Sequence, residues 1–144
     1  MKATGFDGRE YNWNLTKRVP KKNDKRHRSK LHLRARSLLR QIFPRARILE
    51  EVRLPGSGTT TKQSGLFADF FLPAHNLIIE VNGRQHYEFV KFYHKTNAGY
   101  YQARKRDRDK IEWCKQNNIS IVTLKYSDDD NVWKKNINSE RTSD

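Results

Sequence analysis

The sequence predicts a mixed α/β fold, a mixed β-sheet with helices packed on it, and three observations carry that expectation. Apolar residues recur at helical spacing between Leu31 and Ile42. Two strand-like runs, LFADFFL and LIIEVN, flank the turn PAHN. A second helical segment, Ala98 to Asn117, leads into the apolar run ISIVTL. The order helix, three strands, helix, strand calls for helices layered on a sheet. The 144 residues fit one domain, long enough to bury a core without staples.

The elements follow in chain order. Residues 1–27 read as a basic, irregular N-terminal arm. Lys17, Arg18, Lys21, Lys22, Lys25 and Arg26 crowd one stretch with only Asp24 opposing, and Pro20 and Asn23 break any helical period. Trp13 and Tyr11 would anchor this arm or stack on a base. The domain proper spans 28–127. Ser29 is a suitable helix N-cap, and Leu31, Ala35, Leu38, Leu39 and Ile42 form the stripe that follows. Arg28, Lys30, Arg34, Arg36 and Arg40 leave other faces free for phosphate, and Pro44 ends the helix. Arg47 to Leu54 reads as a strand and PGSGTTTKQSG as a loop.

The hairpin is the most informative segment. With Pro73 to Asn76 as the connection, Leu72 pairs with Leu77, and counting back sets Asp69 opposite Glu80. Side chains alternate along a strand, so Ala68, Phe70 and Leu72 share a core face with Leu77, Ile79 and Val81. The other face carries Phe67, Asp69, Phe71, Ile78, Glu80 and Asn82. In the second helix the expected inner stripe is Ala103, Asp107, Ile111 and Cys114, with Tyr100 at the start and Lys110 alongside. Asp107 is expected to form a buried ion pair with Lys110, Arg84 or Arg106. Ile119 to Leu124 is a buried strand, and 128–144 a polar tail in which Trp133 docks a short helix.

Composition narrows the function. A formal net charge of +14 repels itself unless a polyanion screens it, and its concentration in short stretches points to nucleic acid. The basic segments lack the apolar face of a membrane-lying helix, and no apolar run approaches the roughly 20 residues that span a bilayer. The N-terminus has no apolar signal core. One cysteine, Cys114, excludes an intramolecular disulfide framework and Cys-rich zinc sites and suits a reducing compartment, the cytoplasm.

Two carboxylates opposite each other on a sheet face lie only ~5 Å apart at Cβ. Such a pair takes up a proton, is bridged by a basic side chain such as Arg84 or Lys110, or holds a divalent cation. A cation beside a basic surface is what phosphodiester hydrolysis requires.

ADFFLP followed by LIIEVNGRQH resembles the PD-(D/E)XK nuclease superfamily, and YQARKRDRDKIEWCKQNNISIVTL is similar to the helix and final strand of its branch around the very-short-patch-repair and related small phage and bacterial endonucleases. The resemblance covers Ser29 to about Tyr126. It implies a restriction-endonuclease-like fold and a DNA endonuclease in a bacterial or phage-infected cell. Asp69 and Glu80 would then hold magnesium, or manganese in its place, with the Val81 carbonyl. The superfamily's lysine is replaced by Asn82, for which Gln85, His86 or Lys110 would substitute. His32, near the place of a first-helix carboxylate, is a second-shell group or a base, as Asn82 and Asp107 are second-shell candidates. Glu50 and Glu51 are further acidic candidates. The zinc ligands of the patch-repair enzymes are absent. Alternatives are a junction resolvase, a homing-type nickase, or a fold that binds nucleic acid without cutting it. The protein would act as a monomer or homodimer on DNA.

Overall fold

In the computed structural model, residues 1–16, 29–58, 65–84, 87 and 96–140 are described. The elements are β1 (Lys2–Thr4), β2 (Glu10–Asn12), α1 (Lys30–Ile42), β3 (Leu49–Leu54), β4 (Leu66–Leu72), a 3-10 turn (Pro73–His75), β5 (Leu77–Asn82), α2 (Asn97–Gln116), β6 (Ser120–Lys125) and α3 (Asp130–Glu140). One sheet has the order β3-β4-β5-β6, and β1-β2 form a separate hairpin. The β3/β4 and β4/β5 pairs are antiparallel and β5/β6 is parallel, with α2 as the crossover. The fold is therefore mixed α/β with a mixed four-stranded sheet flanked by helices.

Each face of the sheet buries its own core. On one, α1 and α3 pack Ala35, Leu38, Leu39, Trp133 and Ile137 onto Phe70, Leu72, Leu77, Ile79, Val122 and Leu124. On the other, Trp113 and Cys114 of α2 meet Leu49, Phe71 and Ile78. Helix α1 starts where Ser29 caps it, the Ser29 Oγ accepting from His32 N at 3.0 Å. It stops at Phe43, before Pro44.

Three expectations change. Residues 1–16 belong to the domain rather than to an arm. Trp13 stacks on Phe71 at 4.6 Å, meets Trp113 edge-on at 5.2 Å and donates its indole N–H to the Arg53 carbonyl. Asn117 at the end of α2 pairs with both backbone groups of Thr4. This docking needs glycine at 56, where φ is +68° and a Cβ would lie 2.5 Å from Gly5 Cα. The basic residues Lys17, Arg18, Lys21, Lys22, Lys25, Arg26 and Arg28 lie outside the described residues. Second, the stretch read as a polar tail carries the expected short helix, α3, docked by Trp133, and with Ile137 also fully buried it belongs to the first core rather than lying outside the domain.

Third, the strand alternation slips. Leu49 lies in the second core, Glu50 turns toward α1, and Val52 and Leu54 both return to the second core. On β4, Phe70 and Leu72 stay in the first core while Ala68 and Leu66 join the second. The slip falls at Glu51, whose φ of 51° is left-handed and breaks the period of two. So the expected grouping of Ala68 with Phe70 and Leu72 fails, and the face carrying Phe71 and Ile78 is itself core.

Candidate active site

The hairpin register pairs Leu72 with Leu77, Phe71 with Ile78 and Phe70 with Ile79. The next positions are Asp69 and Glu80, and there the backbone ladder stops. Carboxylates take over: Asp69 N donates to Glu80 Oε2 at 2.8 Å, and Val81 N donates to Asp69 Oδ2 at 2.8 Å. On the other side of β4 the β3 ladder skips the same place, pairing Glu50 with Phe70 and Val52 with Ala68 but not Glu51 with Asp69. Asp69 thus sits where the sheet opens on both flanks. Left-handed backbone at a non-glycine residue costs free energy and collects at functional sites, and Glu51 supplies it directly across from Asp69.

Glu80 is buried at 4% exposure. Burial, and then the negative charge of Asp69, push its carboxyl up to about 7, against the opposing pull of Lys110. Lys110 reaches over from α2 and places Nζ 2.5 Å from Glu80 Oε1. Burial works to lower the Lys110 ammonium, yet Glu80 first, then Asp69 and Asp107, hold it above the usual lysine range. Glu80, Asn82, Asp107, Lys110, Ile111, Ile121 and Thr123 line a cleft of about 60 Å³.

The donor set fits a hard divalent cation. Two carboxylates and the carbonyl end of β5 at Val81 offer oxygen ligands, and such ions keep several waters besides. Among the described residues no three His, Cys, Asp or Glu side chains cluster to hold an ion.

The structure brings together Asp69, Glu80, Val81, Asn82 and Lys110, with Asp107 at the cleft wall. Lys110 gives its short contact to Glu80, while Asp107 stands half-buried at the cleft wall and acts on the Lys110 charge. Ile111 is 45% exposed at the rim, because the buried side of α2 is centred on Trp113 and Cys114. Gln85 and His86 lie outside the described residues.

His32 is not at this site. Its Nε2 lies 2.6 Å from Glu50 Oε1, and its ring stacks on Phe70 at 4.4 Å. Arg36, expected on a phosphate-facing side, is buried and grips both Glu50 oxygens at 2.8 and 2.9 Å. Arg34, expected on DNA, clamps α3 instead. It donates to Asp130 and to the Asp128 carbonyl and lies 3.7 Å over the Trp133 ring. Lys30 is exposed at the start of α1. Sequence reasoning missed Glu51 as a backbone feature, for which the sequence holds no signal. It also missed a tyrosine cluster next to Asn82, announced only by the density of aromatics around that stretch.

No family model matches the chain, and no solved structure matches it. It is 32% identical over 59 residues to uncharacterized protein 307L of Invertebrate iridescent virus 6, covering 41% of this chain and 30% of that protein. It is also 32% identical over 85 residues to uncharacterized protein 033L of Invertebrate iridescent virus 3, covering 59% of this chain and 41% of that protein. The chain spans less than half the length of these curated relatives. No described helix is long and apolar enough to cross a membrane.

Proposed function

We propose that this chain is a divalent-metal-dependent DNA endonuclease with a restriction-endonuclease-like fold, hydrolysing phosphodiester bonds in DNA. The observation that carries the reading is the Asp69–Glu80 pair at the interrupted hairpin, Glu80 buried and Asp69 half-buried, mutually repelling and answered by one lysine. Asp69, Glu80 and the Val81 carbonyl would hold magnesium, or manganese in its place. Bound there, the ion would polarise the phosphoryl oxygen and lower the pKa of an attacking water. Val81 N fixes one Asp69 oxygen and Asp69 N fixes one Glu80 oxygen, which sets the two carboxylates before any ligand arrives. Lys110 brings from α2 the positive charge that Asn82 lacks, where it serves a phosphate oxygen as well as a carboxylate. Gln85 and His86 stay candidates for orienting the water, and the basic stretch 17–28 for gripping the backbone of DNA.

Supercoiled plasmid and branched DNAs, incubated with magnesium or with EDTA, test the proposal, and cutting by a monomer or a homodimer separates a nickase from a resolvase. The second reading is a domain that binds DNA without cutting it. Two features favour it: Asn82 at the lysine position, and the Lys110 ammonium already on Glu80. Absence of cleavage with both magnesium and manganese on every DNA shape selects that reading.

A further inference from the structure

Beside the carboxylate cleft stands a group of four tyrosines that the reaction chemistry leaves unused. Tyr87 follows β5, Tyr100 and Tyr101 open α2, and Tyr126 follows β6. The Tyr87 and Tyr126 rings lie 6.1 Å apart, and those of Tyr100 and Tyr101 5.7 Å apart. Tyr100 donates its hydroxyl to the Tyr87 carbonyl at 3.0 Å and so joins the two pairs. The Tyr87 hydroxyl is hydrogen-bonded to the Asn82 side chain, which also lines the cleft with Glu80. Cations are interleaved with the rings. Lys125 Nζ lies 4.8 Å over Tyr87, and Arg104 donates to the Tyr100 hydroxyl at 3.0 Å while facing its ring. Arg108 continues the Arg104 ridge along α2, also exposed.

These rings are not simply core. Tyr101 is 67% exposed and Tyr87 36%, and Ile111 at the cleft wall adds another exposed apolar surface. Exposed apolar surface gathered beside a polar cleft marks a contact site. Rings alternating with cations suit a strand whose bases are free to stack while its phosphates meet charge. A paired base inside a duplex offers no face to stack on. The surplus charge of +14 names the polyanion.

We infer that the Tyr87–Tyr100–Tyr101–Tyr126 shelf stacks unpaired bases of a DNA strand whose backbone passes the cleft lined by Glu80, Asn82 and Lys110. The inference deepens the nuclease reading and rests on it for the role of the cleft. The preferred substrate then carries a single-stranded stretch, a flap or an opened junction at the cut.

The test measures binding in EDTA, apart from cleavage. Fluorescence anisotropy compares a mixed-sequence single strand with a duplex of equal length, and a fluorescent adenine analogue in the strand reports stacking by quenching. Tyr101→Ala should weaken single-strand binding about tenfold and abolish part of the quenching, and leave duplex binding unchanged. Tyr101→Phe should restore both, because the ring and not the hydroxyl does the stacking. Equal losses on strand and duplex, or no loss on either, overturn the shelf. If strand binding depends on Tyr101 but no DNA is cut with magnesium or manganese, the shelf stands and the nuclease reading falls. Cleavage without any Tyr101 dependence has the opposite meaning.

Discussion

Glu50 and Glu80 are both nearly closed off from solvent, at 1% and 4% exposure, on strands β3 and β5 that flank β4 in the mixed sheet, yet their carboxyls are pushed in opposite directions. Burial works against ionising Glu50, but His32 and then Arg36 more than reverse it and hold its carboxyl at about 2. At Glu80, burial and the Asp69 charge act together, and Lys110 opposes them without prevailing, so the carboxyl rises to about 7. The difference lies in depth and in partners: Glu80 sits deeper among protein atoms and has fewer basic groups to answer it. Glu50 meets two basic side chains and has no acidic neighbour on its β4 partner Phe70. Glu80 meets one ammonium and one carboxylate. The first cluster is satisfied and fastens α1 to β3. The second sets two carboxylates against one ammonium, an arrangement that a divalent cation would relieve.

The largest effect separates the two in function. Asp69→Asn and Glu80→Gln each keep shape and remove a carboxylate from the pair. Cleavage of plasmid with magnesium should fall by about a thousandfold or more, as expected when several kcal/mol of transition-state stabilisation are lost. Glu50→Gln, measured on the same plasmid under conditions where the variant is folded, should stay within tenfold. Equal losses at both clusters would erase the distinction.

Stability should order them the other way. Glu50→Gln leaves Arg36 buried without its anion, and breaking such a pair costs about 3–5 kcal/mol. Asp69→Asn removes a repulsion, so urea unfolding in EDTA should show it as stable as the parent or more so. A midpoint lowered by Asp69→Asn as far as by Glu50→Gln would mean that Asp69 is a structural group.

A smaller contrast appears with pH, and its sign follows from the two shifts. Glu50 is depressed, so its contribution is whole above the ordinary value of 4.5 and is lost as pH falls through about 2. Glu80 is raised, so the folded chain keeps a proton that the unfolded chain gives up between 4.5 and about 7. Over that interval Glu80 makes stability fall as pH rises, by at most a few kcal/mol. Thermal melting in EDTA across this window should show the fall flattened by Asp69→Asn, the main charge behind the shift after burial. Magnesium should stabilise the chain more at the alkaline end. A pH dependence untouched by Asp69→Asn would detach Glu80 from its neighbour.

The two clusters also differ in how far the sequence announces them. The Asp69–Glu80 opposition was legible because two apolar runs of fixed length flank a turn, and the connection then sets the register; the observed Leu72–Leu77 pair is that register. Mixed α/β order was legible from periodicity alone. Lys110 could be named but not aimed, since its partner depends on the rotation of α2, which Trp113 and Cys114 set through the second core. Arg34 and Arg36 looked like phosphate ligands because their partners, Asp130 and Glu50, are remote in sequence. Trp13 was recognised as an anchor, but the hairpin it pins was hidden in a segment read by its basic end. Nothing in the residues around Glu51 announces a left-handed backbone.

Glu51 stands between the clusters and offers the finest test of them. Its neighbour Glu50 faces α1, Asp69 lies across from it on β4, and its φ of 51° turns the strand from one core to the other. For an L-residue this conformation costs roughly 1–2 kcal/mol, which glycine avoids. Glu51→Gly and Glu51→Ala remove the same side-chain interactions, so their difference isolates the backbone. In an ordinary strand glycine is the weaker of the two by about 0.5–1 kcal/mol. Here Glu51→Gly should exceed Glu51→Ala by about 1 kcal/mol in urea unfolding, a reversal of sign. Both variants should keep the Glu50 cluster, so their acid unfolding should match the parent. Cleavage should survive in Glu51→Gly if the turn alone opens the sheet at Asp69, and should fall in Glu51→Ala in proportion to any straightening of β3. Alanine more stable than glycine at this position would show that the left-handed turn is not what interrupts the sheet, and the opening beside Asp69 would then have to come from the carboxylates themselves.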